Sequence, residues 1–171
     1  MAAAVSGELI SSEIELRTPL SDTFAEAAEK LAGLREGLVR LAYLHGVGIG
    51  ATGTHPFSSW KDQRIIDVPH YRAVEESLKY VAWRNNTFSL HVHVGVRSAD
   101  RIWPIINALL VNLPHMLALS ASSPAWNGED TGYASNRTLL YRQLPTAGLP
   151  PDVRDWESWQ AYMADQWKSG V

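Results

Sequence analysis

The stretch Ser89-Leu-His-Val-His-Val-Gly-Val96 constrains the fold more than any other part of the chain. Polar or small residues alternate there with aliphatic ones, and period two is the side-chain period of a strand. Ser89, His91, His93 and Gly95 therefore share one face, while Leu90, Val92, Val94 and Val96 are expected to point into a core. A strand is predicted from about Thr87 to Arg97. Two imidazoles about 7 Å apart on such a strand, beside a glycine, can hold a metal, an anion or a polar ligand. They can equally fill a solvated sheet face.

The 171 residues are 46% hydrophobic and 19% charged, which is globular in character and suits one domain over 1–171. A formal charge of −3 offers no basic field for nucleic acid. The absence of cysteine excludes a disulfide scaffold, a thiol nucleophile and a cysteine-built zinc site. The N-terminus has no basic region followed by an apolar run, so no signal peptide is expected. The longest apolar run, around Ile105 to Leu119, is cut by Asn107, Asn112, Pro114 and His115, and no membrane span is expected from it. A cytoplasmic domain follows as the expectation.

Glu8 to Thr18 reads as a strand ended by Pro19. Ser21 or Asp22 is the expected cap of a long helix whose apolar stripe runs Phe24, Ala27, Leu31, Leu34, Leu38, Leu41 and Leu44, closed by Gly46. Val47 to Ala51 is expected as a short strand. A helix from Pro69 to about Trp83 precedes the His-x-His strand. Ser98 and Asp100 open a third helix, which Pro114 should kink or interrupt. Ser120 to Ser135 reads as a polar loop, Ser135 to Leu144 as a helix, and Asp152 to Lys168 as a helical tail rich in tryptophan. Its aromatic residues are expected to be core or interface anchors. The order suits an α+β fold, an antiparallel sheet with helices packed on one side. Three convincing strands are few for so many helices, so part of the sheet is expected to come from elsewhere.

Glu8, Glu13 and Glu15 are hard oxygen donors suited to magnesium beside a phosphate, or else charges guarding an exposed edge strand. In a regular strand Glu8 and Glu15 face opposite ways, so a common site requires a bend between them. The loop with Thr54 and His55 combines glycines, hydroxyls and an imidazole, as a ligand loop or a plain turn. Asp130 to Ser135 followed by Arg137 places a guanidinium where it can grip a carboxylate or phosphate, or merely lie on the surface. No Gly-x-Ser-x-Gly elbow supports serine hydrolysis.

Five strings carry a resemblance: Gly7-Glu8 to Glu15-Leu-Arg-Thr-Pro19, Gly53-Thr-His-Pro-Phe-Ser-Ser-Trp60 with Gln63, His91-Val-His-Val-Gly95, Leu119-Ser-Ala-Ser-Ser-Pro124, and Asp130-Thr-Gly-Tyr-Ala-Ser135 with Arg137. In this order they resemble the bacterial carboxylate–amine ligases of the glutamate–cysteine ligase type, the GCS2 group. The resemblance implies a partial glutamine-synthetase catalytic fold and ATP-dependent, Mg²⁺-dependent ligation. The γ-carboxylate of glutamate would be phosphorylated and an amine such as that of cysteine would attack the acyl phosphate. It implies Glu8, Glu15 and Glu13 as metal carboxylates, and His91 with Arg137 as catalytic groups near the transferred phosphate. His93, Thr54, His55, Gln63 and Ser135 are implied as substrate or nucleotide contacts. It also implies the central portion of a longer catalytic domain, lacking an upstream carboxylate strand and a downstream half-sheet. A homo-oligomer or partner subunit would then cover the exposed sheet, with small molecules as substrates and neither nucleic acid nor membrane as partner. Two other readings are a non-catalytic module that keeps the fold, and a metal-dependent hydrolase built on His91 and His93.

Overall fold

A computed structural model describes residues 4–145 and 147–169. The chain is α+β, with short strands and helices in the order β1 (Val5–Gly7), β2 (Ile14–Leu16), α1 (Phe24–Leu44), α2 (Pro69–Leu78), α3 (Tyr80–Trp83), α4 (Ile102–Leu110), α5 (Leu113–Ser120), β3 (Ala125–Trp126), β4 (Glu129–Asp130), α6 (Asn136–Tyr141) and α7 (Trp156–Ser169). The expected single sheet is not formed among the described residues. Two separate antiparallel pairs, β1 with β2 and β3 with β4, replace it.

The predicted strand over Glu8 to Thr18 is a strand–loop–strand hairpin in which Ser6 faces Glu15 and Gly7 faces Ile14. The chain turns between Glu8 and Glu13, with Glu8 N–H bonded to the Glu13 carbonyl at 3.3 Å and Glu13 N–H to the Ile10 carbonyl at 2.9 Å. The bend that a shared site for Glu8 and Glu15 requires is therefore present. Glu13 is 5% exposed, whereas Ile14 is half exposed.

α1 forms as its stripe predicts, but its cap is Thr23, whose hydroxyl accepts from Glu26 N–H at 3.1 Å. Asp22 instead donates its own N–H to the Glu26 carboxylate, completing a reciprocal cap. Gly46, at φ +67°, ends the helix as expected. The stripe itself is largely uncovered, with Phe24, Leu41 and Leu44 all exposed. Val47 to Ala51 forms no strand. The helix predicted from Pro69 breaks at Lys79, a non-glycine residue held at φ +46°, so that α3 sets off in a new direction. Pro114 lies in the first turn of α5, and the helical segments on either side of Val111 and Asn112 meet at 64°. No single helix among the described residues is long and apolar enough to cross a membrane.

The polar stretch from Ser120 to Ser135 contains an unpredicted hairpin. Asn127 and Gly128, at φ +53° and +85°, form the two-residue turn between β3 and β4. An Asn-Gly pair is the preferred chemistry for that turn, because both positions need the left-handed region. In the tail, Trp159 packs on buried Trp103 with ring centroids 5.4 Å apart and stacks on Tyr162 at 5.6 Å. Trp159 and Tyr162 thus have the anchoring role expected for the tail aromatics, whereas Trp167 is 77% exposed.

The core is thin, comprising Leu9, Ile10, Ala42, Ala82, Trp103 and Leu140. The accessible surface is 12811 Å² for 18.9 kDa. A monomer of that mass ordinarily exposes about 8,300 Å². Much apolar surface thus has no cover within the chain.

Candidate functional site

Two clusters carry the polar chemistry. The first lies where the β1–β2 hairpin meets the chain before α2. Ile10 bridges Ile65, Ser11 N–H donates to the Arg64 carbonyl at 2.8 Å, and Ile66 N–H donates to the Leu9 carbonyl at 2.9 Å. Gln63 ties the same pieces through its side chain. Its Oε1 accepts from Ser12 at 2.9 Å, and its Nε2 donates to Ser58 Oγ at 2.7 Å and to the Ser59 carbonyl at 3.1 Å.

On this frame Tyr71 of α2 donates its hydroxyl to Glu8 Oε1 at 3.0 Å. Loss of solvent, the Glu8 hydrogen bond and the charges of Glu8, Glu15 and Glu13 push that hydroxyl up to about 12. All three glutamates therefore act on one oxygen. Burial, then the neighbouring charge of Glu8, raises the Glu13 carboxyl from 4.5 to about 8, against a smaller opposing hydrogen bond from the Ile10 backbone. Its Oε1 is buried with no hydrogen-bond partner. Glu15 accepts from Ser6 at 3.2 Å and lies 3.5 Å from Arg17.

A buried, unpartnered carboxylate oxygen beside two further carboxylates is hard-oxygen chemistry that fits magnesium. No three histidine, aspartate or glutamate side chains among the described residues converge as a complete ligand set. Magnesium needs no such set, since it takes one or two carboxylates and fills its octahedron with water and phosphate oxygens.

The second cluster is a junction around Ser123, which is 1% exposed. Gly53 N–H donates to the Ser122 carbonyl at 3.2 Å, and Phe88 N–H donates to the Gly53 carbonyl at 3.1 Å. Thr54 bridges Thr87, and its buried hydroxyl donates to the Ala125 carbonyl at 2.9 Å. Ser123 pairs with Ser135 in a parallel bridge, and its Oγ accepts from Arg137 N–H at 3.1 Å. Gly53 is required here, because a Cβ would fall 2.9 Å from Ser123 Cβ and Oγ.

Arg137 reaches out of this junction to bond Ser89 Oγ, with its guanidinium 4.1 Å above the Tyr141 ring. Its Nε is buried without a hydrogen-bond partner, and the guanidinium is a fixed cation. His91 and His93 follow Ser89 on extended backbone, with ring centroids 6.3 Å apart. They share a side, as the alternation requires. Contrary to expectation, no ladder joins this segment to the hairpin that carries Glu15, and Leu90, Val92 and Val94 are 78%, 68% and 75% exposed. Alternation specifies an extended chain with two faces, but the ladder needs a neighbouring strand. His55 Nδ1 accepts from Ser58 N–H at 2.9 Å and so helps shape its own loop. Ser135 Oγ lies 2.9 Å from Thr138 Oγ1.

The structure thus gathers Glu8, Glu13 and Glu15 at one place, and Thr54, Ser135, Arg137 and the start of the histidine segment at another. Tyr71, Ser123 and Tyr141 were not foreseen. Only Ser123 lies in one of the five strings, and each matters through a partner between 4 and 63 residues away.

The five strings agree with the comparisons. The chain matches glutamate–cysteine ligase family 2 (GCS2) over residues 2–171 and belongs to that family. It is 48% identical over 166 residues to a Corynebacterium glutamicum protein named "Putative glutamate--cysteine ligase 2", covering 96% of this chain and 44% of that protein. The Corynebacterium jeikeium protein of the same name is 46% identical over 164 residues, covering 96% and 42%. A Nocardia farcinica relative, numbered 2-2 under that name, is 42% identical over 167 residues, covering 98% and 44%. The chain spans less than half the length of these curated relatives.

Proposed function

We propose that this chain carries the chemical centre of an ATP-dependent and Mg²⁺-dependent carboxylate–amine ligase that joins the γ-carboxylate of glutamate to an amine such as that of cysteine. The observation that supports this reading most is the Ser123 junction. It brings family strings far apart in sequence together and leaves Arg137 Nε without a partner beside the histidine segment. In this reading the complete sheet is of the glutamine-synthetase type, formed with further strands of the family's full length.

One or two of Glu8, Glu13 and Glu15 would hold the cation, which supplies neutralisation of phosphate charge when bound. A glutamate γ-carboxylate oxygen attacks the γ-phosphorus of ATP, giving an acyl phosphate and ADP. The amine nitrogen then attacks the acyl carbon, phosphate leaves, and the amine loses a proton. Arg137, stiffened by Tyr141 and Ser89, supplies a fixed positive charge where the transferred group becomes more negative. His91 lies next to that group, and His93, His55 and Ser135 contact substrate or nucleotide. Thr54 and Gln63 have their polar side-chain atoms committed inside the chain, so they act by holding the loop in place. Positioning is the larger part of such a reaction.

Isothermal titration with ATP, with and without Mg²⁺, tests this. Binding should need the cation, and Glu15→Gln should make nucleotide affinity insensitive to it. A coupled ADP-release assay with glutamate, cysteine and Mg·ATP is expected to show no turnover by the 171-residue chain alone, with turnover returning in the full-length family context. Tight zinc binding by His91 and His93 with no nucleotide binding would overturn the ligase reading in favour of a hydrolase.

A further inference from the structure

Tyr71 stands beside the carboxylates without being a ligand or a catalytic group. Its hydroxyl donates to Glu8 Oε1 at 3.0 Å, and the Leu9 N–H donates to the same oxygen at 2.9 Å. A carboxylate oxygen offers two lone pairs, so these two donors fill Oε1. Oε2 accepts no hydrogen bond among the described residues. Glu8 also forms no ion pair with a lysine or arginine among the described residues, whereas Glu15 Oε2 is shared between Ser6 and Arg17. Glu8 therefore presents one uncommitted oxygen with no competing side-chain cation.

Both ends of the Tyr71 bond are held by the fold. Ile66 N–H donates to the Leu9 carbonyl at 2.9 Å, which fastens the hairpin to the chain just ahead of α2. A Cβ on Gly7 would fall 2.5 Å from Ile66 Cδ1, so only glycine at that position lets the hairpin lie so close. On the other side, α2 opens at Pro69, whose fixed φ suits a first helical turn, and Tyr71 leaves that turn. The His70 ring packs on the Tyr71 ring with centroids 3.8 Å apart, which limits the swing of the phenol. The phenol thereby decides which Glu8 oxygen is taken and which is left.

We propose that Tyr71 is a positioning residue that makes Glu8 a one-oxygen ligand. Together with the Leu9 amide it fills Oε1, and so fixes Oε2 as the oxygen that takes the divalent cation. The assignment rests on the cation site of the ligase reading. Its test titrates the 171-residue chain with Mn²⁺, a paramagnetic substitute for Mg²⁺, and reads free Mn²⁺ by electron paramagnetic resonance. Tyr71→Phe keeps the ring and removes only the donor. It should weaken Mn²⁺ binding about tenfold, with an unchanged circular dichroism spectrum. Ser12→Ala, which cuts the tie between the hairpin and Gln63, should leave the affinity within about twofold. Infrared difference spectra of Mg²⁺-loaded against Mg²⁺-free chain, made with isotope-labelled glutamate, report the coordination. A one-oxygen carboxylate ligand splits its antisymmetric and symmetric stretches more widely than a two-oxygen one. The bands that Glu8→Gln removes should show the wide splitting. If Tyr71→Phe binds Mn²⁺ like the parent, or if Ser12→Ala loses as much, Tyr71 only braces α2 and the assignment is overturned. A narrow splitting in the Glu8 bands would put both oxygens on the cation and overturn it as well. If Glu8→Gln leaves Mn²⁺ affinity unchanged while Glu15→Gln lowers it, the Tyr71 assignment fails and the cation site of the ligase reading stands. If none of Glu8→Gln, Glu13→Gln and Glu15→Gln changes that affinity, the cation site fails with it.

Discussion

The Ser123 junction and the segment from Leu90 to Val96 adjoin at Ser89 but differ in every physical respect. At the junction, backbone amides and carbonyls of Gly53, Phe88, Ser123 and Asn136 are paired and the side chains between them are buried. One residue past Ser89 the backbone stays extended, yet it makes no hydrogen bond and its valines face solvent. Both regions carry family strings. The difference teaches that the short polar strings encode their own contacts, whereas the alternating string encodes only a shape and depends on a neighbour for its ladder.

The sharpest way to break this contrast is to spoil the junction. Gly53→Ala places a methyl group 2.9 Å from Ser123 Cβ and Oγ; the backbone bonds on both sides of Ser123 hold Cβ, and turning Oγ away breaks its bond from Arg137 N–H. The expected cost is about 2–3 kcal/mol in urea unfolding. A cost below about 0.5 kcal/mol would show that the junction yields, and the contrast with Leu90 to Val96 would lose its basis.

The carboxylate hairpin offers the next largest effect, through pH. The Glu13 carboxyl sits at about 8 in the folded chain against an unfolded value near 4.5. Between these values the folded state holds a proton that the unfolded state has lost. Stability is therefore greatest below about 4.5 and declines as pH rises toward 8 and through it. The slope should approach 1 kcal/mol per pH unit, giving about 2 kcal/mol between pH 5.5 and 7.5 in cation-free buffer. Glu13→Gln should flatten that slope. An unchanged slope in the variant would mean that Glu13 is solvated and that its unpartnered oxygen is no sign of a cation site.

These two regions also mark what could be read from the residues. The need for a bend between Glu8 and Glu15 followed from parity alone, and the bend is there. The inward turn of Glu13 did not follow, because it depends on the Ile10–Ile65 bridge, a contact between distant segments. Helices α1, α5 and α7 were legible from stripes, prolines and aromatic clustering, since those signals are local. The helix break at Lys79 has no glycine or proline to announce it. The β3–β4 hairpin was readable from Asn127-Gly128 but was obscured by the serines and glycines around it. Convergence of the strings at Ser123 could be anticipated only as a family resemblance, because no local pattern makes Ser123 meet Ser135.

That hairpin gives a smaller test of what local turn chemistry contributes compared with the unpaired segment. Gly128 sits at φ +85°, with open space where a Cβ would go. Gly128→Ala should therefore cost about 1 kcal/mol from backbone strain alone, with no clash to relieve. Thermal unfolding measures it, and a stabilised variant would mean that the turn has another geometry.

The smallest effect is expected where the sequence pattern looks strongest. Val92 and Val94 have the alternation of buried strand residues, yet both are more than two-thirds exposed. Replacing both with threonine keeps the branched shape and adds hydroxyls, a change that costs heavily only in a packed site. In this chain the double variant should differ from the parent by less than about 0.5 kcal/mol. Hydrogen exchange supplies the finer reading. The Phe88 amide, bonded to the Gly53 carbonyl, should be protected, while the amides from Leu90 to Val96 exchange near the rate of open chain. A boundary that sharp, within two residues, follows only if the ladder ends at the junction. Protection extending through Val94, or a loss above about 1 kcal/mol in the double variant, would place a second strand beside the histidines. The difference between the two regions would then be one of degree.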